Sequence, residues 1–292
     1  MTILAEWHKR TLLEAEPFAP LRAAVASLGE EDFPGLHALN RALVGRHITV
    51  QNGMPLHFVP QVYGKLPIEE MYEPRCYLKG EVQTRADNWH DMLNALVWLA
   101  FPKAKAAINA RHYFALTDGR HEESAAGSQR GAVRDTGTLL DESGVIIPCA
   151  DDELAGLLRD FQWKRLFWQR RAELHRSMGF FIFGHGLYEK MLKPYVGLTG
   201  QGLLLRVEPG FFDWPLAQRL AHLDESLADY LDNPQRCRST RELHPVPLLG
   251  VPGWAAENED ETYYDNTAYF RPGRQSSAQR IPLNTAPSSV AG

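Results

Sequence analysis

The chain has 292 residues, 44% of them apolar and 23% charged, which excludes a disordered, collagenous or coiled-coil body. Lys and Arg number 31 against 36 Asp and Glu, a net charge of −5, so the chain as a whole gains no attraction to nucleic acid or to an anionic membrane. Its length suits two ordinary domains or one large one.

The first residues carry Glu6, His8, Lys9 and Arg10 before any apolar stretch, unlike a signal peptide. Apolar residues at three- and four-residue spacing predict helices over Ile3 to Leu13, Ala19 to Leu28 and Leu36 to Val44. Leu56 to Tyr63 reads as a short edge strand interrupted by Pro60, and Tyr72 to Val82 as extended chain with turns at Pro74 and Gly80. Asn88 to Phe101 is a helix that is apolar on every side beyond Asn94, and therefore buried. Lys103 to Leu116 continues as helix, and Asp118 to Gly131 reads as a surface loop. Thr138-Leu139-Leu140 and Val145-Ile146-Ile147, joined by Asp141-Glu142-Ser143-Gly144, predict a β-hairpin. Asp151 to Arg176 and Asp213 to Leu231 read as helices, and Gly202 to Val207 as a strand. Phe180 to Phe183 is a short apolar run that ends in Gly184 and a further helix. No apolar run approaches the ~20 residues of a spanning helix. The three cysteines, Cys76, Cys149 and Cys237, form no CxxC pair and read as inert thiols in a reducing cytosol.

The expected class is α+β: a predominantly helical single domain over residues 1–271, with a few short strands or a hairpin. The helical segment 1–45 packs on it, and the tail over 272–292 is disordered.

Three polar clusters stand out. Asn88, His90, Asp91 and Asn94 lie at the entry to the buried helix, where they cap and brace it or bind a ligand. Phe183-Gly184-His185 opens a second helix, an arrangement suited to anions, and places His185 and Glu189 four apart on one face. Asp141 and Glu142 are turn carboxylates that could join His90 and His185 around a divalent metal. Arg85 and Arg134 could contact an anion or neutralise those carboxylates. Lys164, Arg165, Arg170, Arg171 and Arg176, interleaved with Trp163, Phe167 and Trp168, read as a solvated basic face rather than a nucleic-acid surface. Phosphate-loop, dinucleotide-fold, serine-elbow and HExxH signatures are absent.

The run from Thr84 to Lys103, with Asn88-Trp89-His90-Asp91 at its centre, resembles the signature of a bacterial family known as domain of unknown function 3025. Leu140 to Gly144, Phe183 to Lys190 and Leu249 to Trp254 look like its later blocks, and together they cover about Leu36 to Pro272. Gly186 stands where the resemblance leads one to expect alanine, a change that touches no chemical group. The resemblance implies a soluble bacterial protein with one shared domain, and no particular activity.

The reading that uses all three clusters is a cytoplasmic hydrolase acting on an anionic or phosphorylated small molecule. His90 or His185 acts as general acid or base, Asp91 or Glu189 orients it, Arg85, Asn88, Asn94 and Arg134 hold substrate, and Asp141 and Glu142 bind a divalent metal. The alternative is a ligand-binding or interaction protein whose clusters are structural. A metal-dependent nuclease built on a strand–strand–helix finger, with Tyr72 to Val82 as its extended part, is the third.

Overall fold

A computed structural model describes residues 6–29, 32–118, 126–273 and 284–285. Helices dominate, and the strands are short. In chain order they are α1 (Lys9–Glu14), α2 (Arg22–Leu28), α3 (Leu36–Leu43), β1 (His57–Pro60), α4 (Tyr72–Lys79), β2 (Glu81–Thr84), α5 (Trp89–Ala100), α6 (Pro102–Asp118) and α7 (Ala126–Ser143). Then follow β3 (Gly144–Cys149), α8 (Asp152–Arg159), α9 (Arg171–Ser177), β4 (Phe181–Ile182), α10 (His185–Met191), β5 (Thr199–Arg206), α11 (Leu216–Asp232), β6 (His244–Pro247) and β7 (Asn284–Thr285).

β1 and β2 form a parallel pair by themselves. In the larger sheet β3 and β5 run parallel at the centre, with β4 antiparallel outside β3 and β6 antiparallel outside β5; β7 also pairs with β5. All six residues of β3 are buried, as expected of a strand covered on both faces. Pro245 and Pro247 are tolerated in β6 because, among the described residues, that strand has a partner on one side only. One hydrophobic cluster runs from Leu12 to Phe270, and Cys76, Cys149 and Cys237 lie buried in it as free thiols.

Four sequence expectations are corrected. Tyr72 to Lys79 is helix, not extended chain. Pro74 sits in the first turn, where its missing N–H has no helical partner to lose, and Gly80 closes the helix in the left-handed region at φ 72°. The strand–strand–helix outline of a nuclease finger loses its extended arm with it.

The hairpin around Asp141 is also absent. Helix α7 continues through Asp141 and Glu142 to Ser143 and passes directly into β3, with buried Thr136, Gly137 and Leu140 at helical spacing. Residues 119–125 of the expected loop lie outside the described residues, and from Ala126 the chain is helical. Finally, Asp151 to Arg176 is broken into α8, a π-turn at Arg165–Gln169 and α9, with Phe161 at φ 57° marking the first break. Of the C-terminal tail, residues beyond 273 other than the strand Asn284–Thr285 lie outside the described residues.

Candidate functional site

Two junctions bring the site together. At the first, Asn88 caps α5 by accepting the Asp91 N–H at 3.0 Å, and Asp87 before it takes the left-handed conformation at φ 52°. His90 therefore stands in the first turn of a helix whose residues Asp91 to Leu99 are all buried. At the second, the start of α10 packs against the end of α7. A Cβ on Gly184 would come within 2.5 Å of the Ser143 and Gly144 nitrogens, so only glycine allows this approach. The helix start that the sequence offered as an anion site is thus covered by α7. A Cβ on Gly186 would collide with Oε2 of Glu142, so glycine also makes room for that carboxylate.

His90 and His185 meet across this gap, with Nε2 to Nε2 at 3.0 Å. His185 is 7% exposed, and its Nδ1 donates to the main-chain oxygen of Asp141 at 2.8 Å. His90 is half-buried, and its Nδ1 donates to Oε2 of Glu189 at 3.0 Å. Both Nδ1 atoms face acceptors that cannot donate, so both carry the hydrogen. Two unprotonated Nε2 atoms then stand 3.0 Å apart, which is repulsive unless they share a proton or a cation beside them binds both. Glu142 supplies a third corner: its Oε1 lies 3.5 Å from Nε2 of His185 and 3.8 Å from Nε2 of His90. A circle through these three atoms has a radius of about 2.0 Å, which matches zinc–nitrogen and zinc–oxygen bond lengths. These are the three residues whose ligand atoms converge closely enough to hold a metal among the described residues.

Electrostatics fit the same picture. Burial pushes the His185 imidazole down to about 4, keeping it neutral and able to offer a lone pair. Burial raises the Glu142 carboxyl, against the pull of His90.

The other expected residues are placed as follows. Asp141 is adjacent to Glu142 but faces away from the centre. Burial alone would raise its carboxyl, yet Lys105 at 2.5 Å, together with His185, holds it at about 2. Asp91 does not orient His90; it takes two bonds from the Arg85 guanidinium, at 2.7 and 2.9 Å, and one from the Arg85 N–H. Burial opposes ionisation of Asp91, but these bonds hold its carboxyl low. Asn94 donates to the Tyr72 hydroxyl at 2.7 Å, and Asn88 serves as the cap. Glu189, expected beside His185, pairs with His90 instead. Arg134 is exposed on α7, about 10 Å along the helix from Asp141. In the basic run, Lys164, Arg170 and Arg171 are paired with Asp265, Glu153 and Glu259.

Sequence reasoning missed Lys105, Asn109 and His112 of α6. The last two both bind Glu73, by way of a 2.5 Å bond from Asn109 and a 3.2 Å contact to His112. Their signal was available: 105, 109 and 112 are spaced as a polar stripe on an alanine-rich helix.

The family model described as "Protein of unknown function (DUF3025)" matches residues 56–274, and the chain belongs to that family. The match takes in His90, Glu142, His185 and Glu189 and leaves α1 to α3 outside. No curated protein and no solved structure matches the chain.

Proposed function

We propose that this member of the DUF3025 family is a metal-dependent hydrolase whose ion is held by His90, Glu142 and His185. The convergence of two imidazole lone pairs and one carboxylate oxygen around a point about 2.0 Å from each carries the reading. A shared proton needs no third ligand; a metal does. Two nitrogens and one oxygen suit zinc or ferrous iron better than magnesium or calcium, which favour all-oxygen shells.

Glu142 is 42% exposed and His90 is half-buried, so the centre opens to solvent on the side away from His185. Three protein ligands with an open position are the pattern of catalytic zinc, which lowers the pKa of a coordinated water to about 7. Glu189 fixes the ring of His90, and the Asp141 carbonyl fixes the ring of His185, each holding its Nε2 toward the ion.

Arg85 favours an anionic or phosphorylated substrate. Asp91 orients its guanidinium while the side chain stays 44% exposed, within electrostatic reach of Glu189. An absence of metal would leave the 3.0 Å nitrogen pair as a proton-sharing acid–base dyad.

The test is metal analysis of untagged protein after zinc loading, with hydrolysis of p-nitrophenyl phosphate and p-nitrophenyl acetate. Wild type should carry close to one ion per chain, and His185→Ala should carry none. Turnover should vanish on chelation and return with zinc. Wild-type protein that takes up no transition metal sinks the reading; turnover that survives chelation and is lost in His90→Ala identifies the dyad instead.

A further inference from the structure

We propose that Lys105 is a positioning residue for this centre, setting the end of α7 from which both the Glu142 ligand and the carbonyl that orients His185 are supplied. The inference rests on the metal reading above.

Lys105 projects from α6 into the interior and is 4% exposed. Its ammonium is bound to Oδ1 of Asp141 on one side, and the Trp98 ring lies 5.7 Å away on another. Ions taken out of water cost several kcal/mol each, and a well-packed apolar pair is often as stable. Stability alone therefore gives little reason for a lysine here. What the pair does fix is the rotation of residue 141 about the axis of α7.

Asp141 is used twice. Its carboxylate points to Lys105, while its main-chain oxygen faces His185. That oxygen belongs to the last four carbonyls of α7, which have no N–H four residues on to bind them, and it lies at the negative end of the helix dipole. The His185 Nδ1–H takes it at 2.8 Å, and the Asp141 carboxylate adds a second negative group 3.7 Å from the same nitrogen. The bond leaves Nε2 as the free corner, facing His90 and Glu142. The next residue along, Glu142, is itself a ligand. A shift of residue 141 would therefore move two of the three metal-binding atoms at once. Asn109 and His112, one and two turns further along α6, are tied to Glu73 of α4, so the helix that carries Lys105 is anchored beside it.

The sign of the effect separates positioning from simple charge. Lys105 is a cation near a dication, so removing its charge alone should strengthen metal binding. Loss of positioning should weaken it.

The experiment is titration of apo wild type and apo Lys105→Met with zinc in competition with a chromophoric chelator, well below the melting temperature of each. Cobalt substitution is read by visible absorption. The variant should remain folded by circular dichroism and bind zinc about 10–100-fold more weakly, the usual cost of losing an outer-shell partner. Its cobalt absorption should weaken as the ligand geometry loosens. Zinc affinity that is unchanged or tighter in Lys105→Met overturns the inference and leaves the metal centre standing. Wild type that binds neither zinc nor cobalt overturns both. Should Lys105→Met not fold, Lys105→Arg keeps the charge and the Asp141 contact but lengthens the side chain. It should also bind zinc more weakly, and wild-type affinity there overturns the inference.

Discussion

The two sides of His185 are built from similar residues and behave oppositely. On the open side, His90, Glu142 and Glu189 leave a carboxylate and two imidazole nitrogens facing one point with solvent beside it. On the closed side, Lys105, Asp141, Glu73 and His112 pair off among themselves in the interior. Asp141 and Glu142 are chain neighbours, yet one belongs to each side, because successive residues of a helix point about 100° apart. Burial with a partner makes a carboxylate structural, whereas exposure beside unpaired lone pairs leaves it free to bind.

The sharpest way to break this comparison is to truncate the two carboxylates separately. Asp141→Ala strands the Lys105 ammonium in the interior, which typically costs about 3–5 kcal/mol and should lower the melting temperature of metal-free protein by about 10 °C. Glu142→Ala removes a half-exposed group and should leave that temperature within about 2 °C, while zinc affinity falls at least about tenfold. Equal thermal losses in the two variants would show that the sides are not distinct.

Acid titration sharpens the comparison. Burial holds the His185 imidazole down to about 4, and the pairing with Lys105 outweighs burial to hold the Asp141 carboxyl at about 2. Each group binds fewer protons folded than unfolded, so each contributes stability that is lost as the pH falls. The His185 share disappears between its ordinary 6.5 and about 4, and the Asp141 share between 3.8 and about 2. Half-buried His244, also pushed down to about 4 by desolvation, adds to the upper window. Melting temperature against pH should therefore fall across both windows, with His185→Gln flattening the upper one in part. A variant curve that tracks wild type from pH 6.5 to 4 would contradict a buried neutral His185.

The smallest effect is expected at Gly186. Its missing Cβ leaves the space in which Oε2 of Glu142 rests. Gly186→Ala should raise or preserve thermal stability, since alanine favours a helix by about 0.5–1 kcal/mol over glycine. Zinc affinity should drop a few-fold as the carboxylate is displaced. Unchanged affinity would mean that Glu142 reaches the ion equally well from another rotamer. The substitution that looked chemically silent in the sequence is thus in direct contact with a ligand.

Much of the scaffold was legible because it depends on local pattern. The buried helix from Trp89 to Ala100, its cap at Asn88 and the amphipathic helix ending at Asp232 follow from spacing and capping alone. The errors fell where one pattern serves two structures. Pro74 and Gly80 mark turns in extended chain, and equally the first turn and the end of a helix. Asp-Glu-Ser-Gly marks a hairpin turn, and equally a helix end running into a strand.

Residue type and local spacing, which a sequence states outright, determined that His90, His185 and Glu189 on helix starts and the adjacent carboxylates Asp141 and Glu142 were among the groups to watch, though the hairpin turn expected for the last two is a helix end. Only the tertiary structure decided their partners: Glu189 for His90 rather than His185, Arg85 for Asp91, Lys105 for Asp141, and Glu142 rather than Asp141 beside the two Nε2 atoms. Those choices depend on contacts between residues tens of positions apart, and they are made by the packing of α5, α6, α7 and α10 around the gap that Gly184 and Gly186 leave open.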